Sequence, residues 1–154
     1  MQPERDPGMI KKSFSNNEII PEIERLIKEG SEAVFVPKGY SMSPFIRGGV
    51  DSVLMAKAES IGKGDIILAL TEQGSYVLHR VEKVEGDVLT LMGDGNLTGK
   101  ERCRRKNVVG KAIKIIKKDR EIDCQSASHL RRAELWRRLL PIRRYLLAIY
   151  RRLL

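Results

Sequence analysis

Residues 65–92 read DIILALTEQGSYVLHRVEKVEGDVLTLM, and this stretch decides the fold. Three short apolar runs, Asp65 to Leu70, Ser75 to Val84 and Asp87 to Met92, are separated by the turn formers Gln73, Gly74 and Gly86. Runs of this length rich in Ile, Val and Leu and punctuated by glycine read as antiparallel strands joined by tight turns. Working outward, Ala33 to Val36, Asp51 to Ala56 and Val108 to Ile116 repeat the pattern, with Gly48, Gly49, Gly62 and Gly64 between them. Six strands at this spacing predict a mainly β body, an antiparallel barrel or sandwich. Ahead of them, Asn17 to Glu29 places Ile19, Ile20, Ile23, Leu26 and Ile27 at helical spacing, with Ser15, Asn16 or Asn17 as cap and Gly30 as stop.

Composition bounds the rest. A chain of 154 residues, 42% hydrophobic and 32% charged, is expected to form one water-soluble domain that needs no disulfide staples. Cys103 and Cys124 lack metal-ligand spacing, so neither a zinc site nor any cofactor is expected, and a reducing compartment is the simplest reading. Met1 to Lys12 holds no apolar stretch of signal-peptide type, and no run is long enough to cross a bilayer, which points to the cytoplasm. Eight arginines against one acid, Glu134, lie between Gln125 and Leu154, so +7 of the net charge of +9 belongs to the tail. The composition change at Cys124 to Ser128 divides the chain into an N-terminal segment and helix (1–32), a β body (33–124) and a cationic helical tail (125–154).

Three short segments carry side chains that a packed core does not require. Ser41 stands in Gly39-Tyr40-Ser41-Met42-Ser43-Pro44, His79 in Leu78-His79-Arg80-Val81, and Asp94 in Gly93-Asp94-Gly95-Asn96. A hydroxyl, an imidazole and a carboxylate are the components of a serine nucleophile with its base and the group that orients that base. Each also has an ordinary structural reading, as a turn serine, a hydrogen-bonded strand histidine and a tight turn.

With these motifs in order, the stretch Gly39 to Ile116 resembles the superfamily that joins type I signal peptidases and LexA-like self-cleaving repressors. Further matching pieces are the strand Asp51 to Leu54 and the strand start Lys63-Gly64-Asp65-Ile66-Ile67. His-Arg followed by Gly-Asp-x-Asn is similar to the endoplasmic-reticulum, archaeal and spore-former branch, whose base is histidine rather than lysine. The resemblance implies a curved β peptidase domain in which Ser41 attacks a peptide carbonyl, His79 is the general base and Asp94 orients it. Backbone N–H groups at Ser41 would then hold the oxyanion, and Met42 and Pro44 would shape the substrate cleft, with small side chains preferred beside the cut. Two departures stand out. The position where related signal peptidases place an assisting serine is Gly39, and Glu101 is the nearest candidate for the later acid of the family, at imperfect spacing.

In the tail, Ala133, Leu135, Trp136, Leu139 and Leu140 share one helical face, and after Pro141 so do Ile142, Leu146, Ile149, Tyr150 and Leu153. Opposite them stand basic faces that include Arg137 and Arg138, then Arg144, Arg151 and Arg152. This is the pattern of an interfacial anchor, arginines on anionic head groups and Trp136 near the boundary. The functional expectation is a cytoplasmic serine endopeptidase, attached peripherally to a membrane, that trims a leader, signal-like or precursor peptide. The alternatives are a self-cleaving LexA-like regulator and a catalytically silent module whose basic tail holds a partner protein or, less favoured, nucleic acid. Against self-cleavage, only about 32 residues precede the β body, and the chain contains no Ala-Gly or Cys-Gly bond.

Overall fold

The computed structural model describes residues 8–9 and 16–153. The capping role offered to Ser15, and most of the stretch Met1 to Lys12, lie outside the described residues. The elements run β1 (Gly8–Met9), α1 (Asn16–Lys28), β2 (Ala33–Phe35), β3 (Ser52–Ala56), β4 (Ile66–Leu70), β5 (Tyr76–Glu85), β6 (Val88–Met92), β7 (Glu101–Arg104), β8 (Val108–Ile116) and β9 (Glu121–Asp123). Two helices follow, α2 (Ala127–Arg138) and α3 (Arg143–Leu153), joined through a 3-10 turn at Leu140–Ile142.

The sheet order is β1-β2-β3-β8-β4-β5-β6-β7, with β9 on β8. All pairings are antiparallel except β1 with β2. The fold is therefore mainly antiparallel β with a short N-terminal helix and helices at the C-terminal end. The barrel expected from strand spacing does not close: β2, extended by β1, lies at one end of the path and β7 at the other, and they do not pair. Strand spacing reports how often the chain reverses, not whether the last strand meets the first.

The apolar run of β4 is continuous because this central strand is buried on both faces. Ile66 and Leu68 join a core with Val53, Met55 and Ile115, covered by Ile19, Ile20, Ile23 and Ile27 of α1. Ile67 and Ala69 join a second core with Val81, Leu89, Leu91 and Cys103. Directly opposed residues of an antiparallel pair share a face. Because His79 opposes Ile67 and Arg80 opposes Ile66, the two side chains leave β5 toward different cores. Leu91 opposes both Val81 and Glu101, which brings Glu101 to the His79 face.

The tail folds back onto the body. Ser126 caps α2 by accepting from the His129 N–H, and His129, Ala133, Arg143 and Leu147 are buried. Trp136 does not stand at an outward boundary as the amphipathic pattern implied: its indole Nε1 donates to the Asp94 carbonyl at 2.7 Å, and Phe45 packs edge-on against it. Arg143 donates to the carbonyls of Asn96 (2.9 Å) and Trp136 (3.2 Å). Arg137 and Arg138 are occupied by Glu134, the tail's one acid. Among the described residues, no helix is long and apolar enough to cross a membrane.

Candidate active site

Ser41 lies in a run of turns, residues 39–46, that carries the chain from β2 toward β3. Gly39 opens it with φ +85°, a left-handed backbone that disfavours any side chain, so a serine in its place would be strained. Ser41 is half-buried, between exposed Tyr40 and buried Met42. Its backbone is held by the turn after β6, where the Gly95 N–H donates to the Ser41 carbonyl at 2.8 Å.

The glycines of Gly93-Asp94-Gly95-Asn96 permit that contact. A Cβ on Gly93 would overlap the Ser41 carbonyl oxygen and lie 3.1 Å from His79 Nε2; one on Gly95 would overlap the Tyr40 carbonyl. The turn beyond β6 thus presses backbone to backbone on the serine loop, and the single empty position at Gly93 faces both the serine loop and the imidazole.

His79, 6% exposed, is gripped from the other side: its Nδ1 lies 3.0 Å from Glu101 Oε2. A carboxylate only accepts, so Nδ1 carries a proton and, in the neutral imidazole, Nε2, on the side of Gly93 and the serine loop, is the acceptor. Ser41 and His79 line one cleft of about 130 Å³, walled by Ile19, Ile20, Phe35, Met42, Leu68 and Leu78. Ser41 Oγ makes no hydrogen bond among the described residues; nucleophile and base often tighten only when substrate arrives. No acceptor among the described residues is bonded to the Ser41 or Met42 N–H, which leaves two donors beside the hydroxyl.

Two assignments made from the sequence change. Asp94 does not orient His79. It is a buried partner of Arg80, whose Nε reaches Oδ1 at 2.9 Å and whose Nη2 reaches Oδ2 at 2.7 Å. The reason is strand alternation, which sends Arg80 and Asp94 to one face of the sheet and His79 with Glu101 to the other. Pro44 does not line the cleft with Ser41; it borders a separate surface groove with Phe45, Asp51 and Lys117, while Met42 does face the cleft.

Sequence reasoning missed His129. Its Nε2 lies 3.2 Å from Arg80 Nη1, which also donates to the Gly64 carbonyl at 2.8 Å. Arginine has only donors, so Nε2 of His129 is unprotonated. Burial first, and the Arg80 charge second, push its pKa down to about 4. The guanidinium of Arg80 stacks 4.9 Å above the Phe45 ring, completing an enclosure of Asp94, Gly64, His129 and Phe45. An isolated histidine near a chain terminus gave no signal of this. Both cysteines are free and buried, and burial pushes Cys103 up to about 11 and Cys124 up to about 12, far from the range of a reactive thiolate. No protein-family model and no curated protein matches this chain.

Proposed function

We propose that this protein is a serine endopeptidase of the LexA and signal-peptidase kind, in which Ser41 is the nucleophile, His79 the general base and Glu101 the group that orients and charge-stabilises the imidazole. One observation carries the reading: His79 is anchored through Nδ1 by a carboxylate while its free Nε2 stands where the serine loop and the Gly93 turn meet. Here Nε2 is left without a protein partner among the described residues, and His79 shares a cleft with half-buried Ser41.

In the proposed reaction Ser41 Oγ bonds to the peptide carbonyl carbon as Nε2 takes its proton. The oxyanion is met by the Ser41 and Met42 N–H groups. The imidazolium, stabilised by Glu101, returns the proton to the leaving amine, the C–N bond breaks, and water, deprotonated by the same nitrogen, hydrolyses the ester. The apolar walls of the cleft suit an apolar side chain of an extended leader or precursor peptide beside the cut.

A peptide library digested by the wild type and by Ser41→Ala, read by mass spectrometry, tests this. Cleavage lost with the hydroxyl is expected; cleavage that survives its removal would end the serine mechanism.

A further inference from the structure

Docking of the tail consumes one side of α3 and leaves another bare. Arg143 and Leu147 are buried against the body. Facing outward are Ile142 at 46% exposure, Tyr145 at 65%, Ile149 at 56% and Leu153 at 81%. Residues 145, 149 and 153 are spaced by four along α3, and Ile142, the last residue of the 3-10 turn, precedes Tyr145 by three, so they form one continuous stripe. Four large apolar side chains in line at this exposure are not the scattered apolar residues normal on a surface. On one flank of the helix, between the stripe and the buried face, Arg152 stands next to the stripe and Arg144 and Arg151 farther round; all three are exposed and make no ion pair or hydrogen bond among the described residues, in contrast to Arg137 and Arg138.

We infer that this face of α3 rests on an anionic lipid surface, with the helix lying in the plane of the bilayer, Ile142, Tyr145, Ile149 and Leu153 entering the acyl boundary and the three arginines meeting head-group phosphates. Two features of the patch select this occupant. A second copy of the chain would bring arginine against arginine across the contact, a repulsion that the stripe's short length does little to offset. Nucleic acid would match the arginines but leave four apolar side chains against phosphate and water. An anionic bilayer complements both halves of the patch at once. The surface differs from the one the amphipathic pattern alone suggests, because Trp136 is turned inward and Arg137 and Arg138 are paired with Glu134.

The inference is independent of the peptidase reading, and Ser41→Ala protein should bind lipid as the wild type does. The test is co-sedimentation with vesicles of equal parts phosphatidylcholine and phosphatidylglycerol, against vesicles of phosphatidylcholine alone. Wild type is expected to pellet with the mixed vesicles and be released by high salt. Ile149→Asp with Leu153→Asp should weaken binding by at least about tenfold, and Arg144→Gln with Arg151→Gln and Arg152→Gln should abolish the preference for the anionic lipid. Both sets lie on exposed positions, and matching circular dichroism would confirm that the fold is kept. Trp136→Phe should bind as the wild type does, and lipids brominated in the acyl chain should leave Trp136 fluorescence unquenched. Failure of the wild type to pellet, or equal binding by the aspartate variant, overturns the inference. So does a dimer in sedimentation that the aspartate variant dissolves, or tight RNA binding indifferent to that variant, when either comes without lipid binding.

Discussion

His79 and Arg80, consecutive on β5, leave the sheet on opposite faces, and each takes a different acid: Glu101 on one side, Asp94 on the other. The tandem His-Arg is a junction at which a candidate chemical site and a structural clamp are joined by one peptide bond.

The two acids should therefore respond differently to substitution. Glu101→Gln removes the charge that steadies the imidazole and is expected to lower kcat by roughly 10² to 10⁴, with little change in unfolding midpoint. Asp94→Ala leaves the Arg80 guanidinium buried without its carboxylate and should cost about 3–5 kcal/mol of stability. Peptide kinetics and urea melts on the pair give this crossover; the reverse pattern would restore Asp94 as the orienting acid.

Gly93→Ala inserts a methyl group where it overlaps the Ser41 carbonyl oxygen and crowds His79 Nε2. Displacing either group by about 1 Å is enough to reduce kcat by roughly 10². Gly62→Ala is the control, since its nearest neighbour, Asp65 Oδ2, is 4.0 Å from the added carbon; activity there should be unchanged.

How much of this was legible from sequence follows from the kind of signal involved. Six strands, β2 to β6 and β8, announced themselves through apolar runs between turn residues, and the helices through their periodicity. The strand β7 did not, because Glu101-Arg102-Cys103-Arg104 shows only Cys103 to the core, and neither the two-residue β1 nor the three-residue β9 is long enough to show a period. Missing β7 meant missing the place of Glu101, since the registers of β5 on β6 and β6 on β7 are what carry it to His79. Ser41 and His79 stood out because their segments are unusual in themselves. Asp94 stood out for the same reason, yet its role depends on a face, and a face is settled by pairing across strands. Likewise, amphipathicity shows that a helix has an apolar side but not whether protein or lipid covers it, which is why Trp136 was assigned outward.

Stability should fall as the medium is acidified through the range set by His129. The folded state holds this imidazole neutral, with a pKa of about 4, whereas an unfolded histidine titrates near 6.5. Between those values the unfolded chain binds the extra proton, so the contribution is complete above about pH 6.5 and lost progressively toward pH 4, to a total of about 3 kcal/mol. His129→Gln, which keeps an acceptor for Arg80 but does not titrate there, should flatten this part of the stability profile in urea melts taken at successive pH values.

Trp136 should matter to the serine loop without touching it. Its N–H holds the Asp94 carbonyl, and the same turn holds Ser41 through the Gly95 N–H. Trp136→Phe is expected to raise the hydrogen-exchange rate of the Gly95 amide and to lower kcat about tenfold with KM little changed. Exchange at Gly95 that does not move would show that the tail merely covers the body.

Glu101 begins β7, which pairs with β6 alone at an end of the open sheet, its other edge tied at Arg102, whose carbonyl accepts from the Glu72 N–H at 2.8 Å. Peripheral strands detach at lower free energy than the interior. On gentle warming the imidazole is thus expected to lose its carboxylate while α1 and β4 are still packed, so that inactivation precedes melting and reverses on cooling. Thermal wear in this molecule begins at the rim.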